Sequence, residues 1–204
     1  MFNNMVLHHK SQEGIDIVVN FIIKYIIIVI GVIFMDWEFK ILDAIQKYFS
    51  GNFMDNIMSK ISSLGNAGLI WIILTIILLL FKRTRKYGYT CGLSLIIMLF
   101  TGNIFIKNIV CRLRPFQIRE YINLIINPPF DTSYPSGHTY ASFAFATALL
   151  CCNKKLGIPA MVLACLISFS RLYLYVHFPT DVLASIVLGI TTGVLSYYIV
   201  NHKK

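Results

Sequence analysis

Residues 61–81 read ISSLGNAGLIWIILTIILLLF, a run of 21 residues with no charged side chain, bounded by Lys60 and Lys82. A helix needs roughly 20 such residues to cross the hydrocarbon of a bilayer. The stretch therefore reads as a membrane span. Residues 87–106, between Lys86 and Lys107, and residues 182–201, after Asp181, form runs of the same kind. Two shorter runs, 139–153 after His138 and 156–170 before Arg171, hold 15 charge-free residues each. They reach spanning length only if their polar ends are included, which would set His138 and Arg171 at a membrane face. Residues 15–35 are a sixth candidate, interrupted by Asp16, Asn20 and Lys24. No small-residue cleavage site follows, so this segment does not resemble a secretory signal peptide.

These runs account for the composition of the 204-residue chain, which is 57% hydrophobic and 13% charged with a mean hydropathy of +0.71. A soluble domain of this size carries about a quarter charged residues, so an ordinary cytosolic enzyme is excluded. Disorder, collagen and a coiled coil are excluded by the same numbers. The expected fold is all-α: a multi-pass membrane helical bundle of six spans, five in its core and one at the N-terminus. Residues 1–34 form an N-terminal extension carrying the first span, dispensable if the chain functions from Met35, and 35–204 form the membrane domain. Within 36–60, Trp37, Ile41, Ile45 and Tyr48 share one helical face, and Met54, Ile57, Met58 and Ile61 repeat at helical spacing. These read as interfacial helices, or as helices packed on the bundle. The five cysteines contain no C-x-x-C pair, which argues against a disulfide framework or a zinc site.

The formal net charge is +9, from 18 Lys and Arg against 9 Asp and Glu. In a soluble protein this would point to nucleic acid; in a membrane protein it first reports sidedness. Lys82, Arg83, Arg85 and Lys86, then Lys154 and Lys155, then Lys203 and Lys204 fall on one side of the predicted bundle. The positive-inside rule makes that side, with the C-terminus, cytoplasmic. The extracytoplasmic side then holds Lys107, Arg112, Arg114, Arg119 and Arg171, five cations that topology leaves unexplained. A membrane-borne anion is the partner they imply, and nucleic acid is not expected.

Lys107 and Arg114 stand seven apart and can converge on one anion, with Pro115 biasing Arg114 out of the helix. In Tyr134-Pro135-Ser136-Gly137-His138-Thr139, Ser136 is a natural N-cap, and the free N–H groups after it make a seat for phosphate. Arg171 adds a planar fork of donors. His177 is the candidate nucleophile; Asp181, four residues on, can reach back to fix its tautomer. His138 could protonate a departing oxygen. Singly, each residue reads as a cap, a snorkelling cation or a hydrogen-bonded histidine; the weight lies in their falling on one face. A divalent metal held by His138, His177, Asp131 and Asp181 is the competing assignment, and the surrounding cations argue against it.

Lys107, six residues, Arg114-Pro115; Pro135-Ser136-Gly137-His138; and Ser170-Arg171, five residues, His177, three residues, Asp181 resemble the three-part signature of the type 2 phosphatidic acid phosphatase superfamily. The likeness covers about residue 35 to the C-terminus. It implies a six-helix core and hydrolysis of a lipid phosphate through a phosphohistidine, without metal or cofactor. It also implies that Lys107, Arg114, Ser136, Gly137 and Arg171 bind the phosphoryl group, that His177 attacks it, that His138 protonates the leaving group and that Asp181 orients His177. Tyr134 stands where members have Phe. Soluble members bind vanadate at this site, chemistry that five spans argue against. Compact bacterial members of this size resemble undecaprenyl diphosphate phosphatases; phosphatidate or phosphatidylglycerophosphate is the alternative substrate. A transporter or flippase that binds a lipid phosphate without cleaving it, and a silent membrane scaffold, are the readings from other classes. Oligomeric state has no signature in the sequence.

Overall fold

The computed structural model describes residues 36–119, 122 and 124–201, which are helix and loop without a strand. The expected first span and the 1–34 extension lie outside the described residues. The chain divides into two compact units, Met1–Lys40 and Ile41–Lys204; of the first, only 36–40 is described, and it is helical. The second unit opens with α1 (41–49), α2 (Asn52–Leu64), a 3-10 turn (Asn66–Gly68) and α3 (Leu69–Leu80). Next come α4 (Arg85–Met98), a π-helical stretch (Leu99–Ile106), and the short α5 (Lys107–Val110) and α6 (Pro115–Ile118). After a long loop follow α7 (Gly137–Cys152), α8 (Lys154–Tyr173) and α9 (Pro179–Asn201).

Helix α7 is the axle of the unit, packed against α4, α8 and α9. Every residue from Thr139 to Leu149 is buried, so the helix has no outward face, as expected for one enclosed by others. Its alanines let the neighbours approach, and α9 meets it through glycine. A Cβ on Gly193 would stand 2.8 Å from Ala144 O and 2.9 Å from Ala148 N, and one on Gly189 would stand 2.6 Å from Phe143 Cβ. Small residues four apart are how helices close up where lipid supplies no hydrophobic drive between them. Trp71 ties α3 to the axle, its Nε1 donating to Ser142 Oγ at 2.9 Å. Gly193→Ala is expected to cost about 1–3 kcal/mol of packing strain and to lower the unfolding midpoint in detergent. Gly51→Ala, facing open space, should leave that midpoint unchanged.

Among the described residues three helices are long and apolar enough to cross a membrane: Arg85–Ile118, Lys154–Tyr173 and Pro179–Asn201. A fourth crossing is available if the bent pair Asn52–Leu64 and Asn66–Leu80 counts as one. Their outer faces are apolar, with Ile158 and Val162 on α8 and Leu183, Val187 and Leu195 on α9 exposed. The protein is an all-helical membrane protein. The count of six spans is not reached among the described residues; α7, at 16 residues, extends only about 24 Å.

The run 61–81 is not one straight span. Helix α2 continues to Leu64, α3 begins at Leu69, and the two axes differ by 44°. Between them Ala67 and Gly68 take left-handed backbone angles, φ 51° and 67°. Charge counting is blind to this break, because Gly65, Asn66 and Gly68 are uncharged turn formers. Helix α2 packs against α8, with Met58 in a cluster with Tyr173 and Leu174, so for this helix packing on the bundle is the outcome.

Candidate active site

Helix α5 brings Lys107, almost wholly buried, to the end of the bundle. The chain then turns at Cys111, whose φ is +46°, and Arg114 is extended (φ −85°, ψ 156°) as a residue before proline should be. Only 2% of Arg114 is exposed, and its guanidinium pins several segments at once. Nε donates to Asp131 O at 2.8 Å, Nη1 to Val176 O at 2.7 Å, and Nη2 to the Asp131 carboxylate. Nη1 also lies 3.1 Å from His177 Nε2. A guanidinium can only donate, which assigns Nε2 as the unprotonated nitrogen and puts the ring proton on Nδ1.

That proton faces Asp181 without reaching it. His177 Nδ1 and Asp181 Oδ2 are 3.7 Å apart, beyond hydrogen-bonding distance. The carboxylate is occupied elsewhere: Oδ2 accepts from Ser133 Oγ at 2.5 Å and from the Phe178 N–H at 2.9 Å, and Oδ1 accepts from Arg112 Nη1 at 2.6 Å. Arg112 also donates to Thr180 Oγ1 at 2.7 Å and lies over the Phe178 ring. So Arg112, a cation without a role in the sequence reading, holds the aspartate behind the histidine.

Burial, and then the charges of Arg114, Arg171 and Lys107, hold the His177 imidazole well below its ordinary 6.5. The ring is therefore neutral at pH 7. If the neutral ring is the reacting form, activity is present above this lowered value and lost only as pH falls through it. The acid limb of kcat/KM, which reports the free enzyme, should lie clearly below pH 6.5.

Asp131 sits on both Lys107 and Arg114. Burial pushes its carboxyl up, but the Lys107 ammonium and the Arg114 guanidinium prevail and bring it down to about 2. A carboxylate thus occupies the place where sequence reasoning expects an anion. Across the cavity, Arg171 is 2% exposed and donates from Nη1 to Ser62 Oγ. Among the described residues its Nε has no hydrogen-bond partner, nor has His177 Nδ1. Gly137 opens α7; a Cβ there would stand 3.7 Å from Lys107 Nζ and 3.5 Å from Asn103 Oδ1, in the space before the helix start. His138 Nε2 is 3.0 Å from Asn66 Oδ1.

Lys107, Arg114, Gly137, His138, Arg171 and His177 all line one cavity of about 1120 Å³. Ser136 and Asp181, fully buried, stand behind its wall; Ser136 Oγ accepts from Thr139 Oγ1 at 3.1 Å and makes no cap bond. Apolar side chains line the same cavity, among them Ile72 and Ile76 of α3 with Leu95 and Leu99. Among the described residues no three His, Cys, Asp or Glu side chains are placed to hold a metal ion; Asp131 and Asp181 are committed to cations. Asn66, Ser62, Ser133 and Arg112 escape sequence reasoning because their partners lie far along the chain. The Gly65-Asn66-Ala67-Gly68 cluster, a turn signal inside an apolar run, was the one available sign.

Comparison with known proteins gives the family. An undecaprenyl-diphosphatase of Sulfolobus acidocaldarius is 40% identical over 131 residues, covering 64% of this chain and 63% of that protein. The undecaprenyl-diphosphatase BcrC of Bacillus subtilis is 31% identical over 164 residues, 80% of this chain and 83% of the relative. The match thus spans less than two thirds of the archaeal protein and most of the bacterial one. Among solved structures, a Bacillus subtilis PAP2 type phosphatidylglycerolphosphate phosphatase superposes with a TM-score of 0.68 at 23% identity, over 83% of this chain and 87% of that one. Aquifex aeolicus LpxE superposes with a TM-score of 0.67 at 26% identity, over 78% and 93%. Residues 85–204, which carry all three motifs, match the model of the PAP2 superfamily, and to that superfamily the chain belongs.

Proposed function

We propose that the protein is an integral membrane phosphatase that hydrolyses a polyprenyl diphosphate, undecaprenyl diphosphate first among them, to the monophosphate. The observation that carries this is the cavity's mixed lining: Lys107, Arg114, Arg171 and two histidines share it with Ile72, Ile76, Leu95 and Leu99. Such a site suits a phosphate on an apolar chain. The two undecaprenyl-diphosphatase relatives support the choice of head group. Residues 35–204 form the phosphatase domain, with 1–34 appended to it. The site faces the extracytoplasmic side and the C-terminus the cytoplasm, in keeping with the Lys and Arg distribution.

Lys107, Arg114, Arg171 and the α7 start, with Ser136 and Gly137, hold the terminal phosphoryl group, which displaces Asp131 from the cations. His177 Nε2, beside Arg114, attacks phosphorus. The bond from phosphorus to the bridging oxygen breaks, its electron pair leaves on that oxygen, and His138 supplies a proton. Asp181 steadies the imidazolium through its charge. Water then cleaves the phosphorus–nitrogen bond and releases inorganic phosphate. No step calls for a metal or cofactor.

The test is phosphate release by purified protein in detergent with EDTA, from undecaprenyl diphosphate and from phosphatidate. Preference for the diphosphate supports the assignment, and preference for phosphatidate moves the protein to the alternative substrate. Loss of activity on adding EDTA would favour a metal mechanism. No release from either lipid would turn the reading to a binder or transporter.

A further inference from the structure

The break in the 61–81 run is aimed. It delivers Asn66 to the cavity and sets its amide oxygen 3.0 Å from His138 Nε2. The approach leaves no room for another residue type beside it: a Cβ on Gly65 would stand 2.7 Å from His138 Cδ2 and 3.1 Å from Ile167 Cγ2. The turn is completed by two left-handed residues, Ala67 and Gly68, a strained choice for alanine. Residues 65–68 also precede the segment that matches the superfamily, which begins at residue 85.

Resting on the phosphatase reading, we infer that Asn66 is a positioning residue for His138: its amide oxygen holds the Nε2 proton and leaves Nδ1 to carry the proton given to the leaving oxygen. The chemistry follows the logic of an amide or carboxylate that fixes one nitrogen of a histidine so the other can work. The water that cleaves the phosphorus–nitrogen bond gives its proton to His138 Nδ1, which makes the imidazolium that serves the next turnover. When the bond from phosphorus to the bridging oxygen breaks, the electron pair stays on that oxygen and the Nδ1 proton moves to it. His138 returns to neutral with its Nε2 proton still on Asn66. A neutral ring could not donate without becoming an imidazolate, so the acceptor at Nε2 has to serve both protonation states. An amide does this without adding charge.

The groups that face His138 are Arg171 from α8, Arg114 and Asp131 from the segments flanking the α6 loop, and His177 before α9. None changes in a substitution at Asn66, so a shift in the His138 titration reports residue 66 itself. Asn66→Asp puts a negative charge on the Nε2 proton. It should move the basic limb of kcat upward by on the order of one pH unit. Asn66→Ala should lower kcat on the order of tenfold with KM within about twofold. In protein labelled with 15N-histidine, the ring shifts of His138 should report the Nε2–H tautomer in the parent and a mixture in Asn66→Ala.

If both variants keep the parental kcat profile, even with lowered thermal stability, Asn66 serves only to shape the turn and the inference fails. A parent His138 found as the Nδ1–H tautomer overturns it without any variant. A parent that releases no phosphate from any lipid phosphate fails the phosphatase reading itself, and this inference with it.

Discussion

Phosphate release by His177→Ala is expected to fall by roughly 10⁴-fold or more, the scale set by removing a nucleophile that acts as part of a unit. The fold should survive the change. The one hydrogen bond that the His177 ring makes is with Arg114, its Nδ1 has no partner among the described residues, and the guanidinium keeps its bonds to Asp131 and Val176. Brief mixing with lipid labelled in the terminal phosphate should leave acid-labile, alkali-stable label on the parent protein and none on the variant. Unchanged release by the variant would remove the phosphohistidine from the mechanism.

Arg114→Ala should be the most damaging change to structure and activity together. Its removal takes the Nη1 donor from the carbonyl of the buried Val176 and the Nε donor from the Asp131 carbonyl, and leaves the half-exposed Asp131 carboxylate to Lys107 alone. Leaving a buried carbonyl without its donor costs about 1–3 kcal/mol. The loop that carries His177 loses its tie to the loop that carries Asp131. Arg114→Lys should restore part of the thermal stability but leave kcat/KM down by on the order of 10²-fold, since one ammonium cannot span four acceptors in a plane. Thermal unfolding and steady-state kinetics on the same preparations separate the two effects. A lysine variant with parental kcat/KM would show that charge alone is needed there.

The site was legible because its residues come in short motifs whose spacing is local. Lys107 and Arg114, Gly137 and His138, Arg171 and His177 needed only the right helix ends to meet, and they share one cavity. Asp181 shows the limit of spacing arguments. Four residues place it near His177, yet the gap is 3.7 Å, because Ser133, Arg112 and the Phe178 N–H compete for its oxygens. Those competitors come from other segments, and no local pattern names them. The fold divides in the same way. Counting charge-free residues finds apolar helices, but it does not tell a helix facing lipid from one enclosed by others. The distinction in α7 lies in Ala141, Ala144, Ala146 and Ala148, where small size rather than hydropathy carries the information. Counting also runs through Gly65–Gly68, where the backbone itself changes direction.

Asp131 has a consequence for how the enzyme tolerates its own product. A carboxylate on the same chain, tied to Lys107 and Arg114, competes at a fixed effective concentration, which for short tethers is on the order of millimolar. A free anion must exceed that level to take the seat. A lipid confined to the bilayer is concentrated by its tail and meets the condition easily. Inorganic phosphate, once released, has no tail to hold it there. With phosphate bound at Lys107 and Arg114 as proposed, the internal rival would clear the site after turnover and keep ambient phosphate from lodging in it.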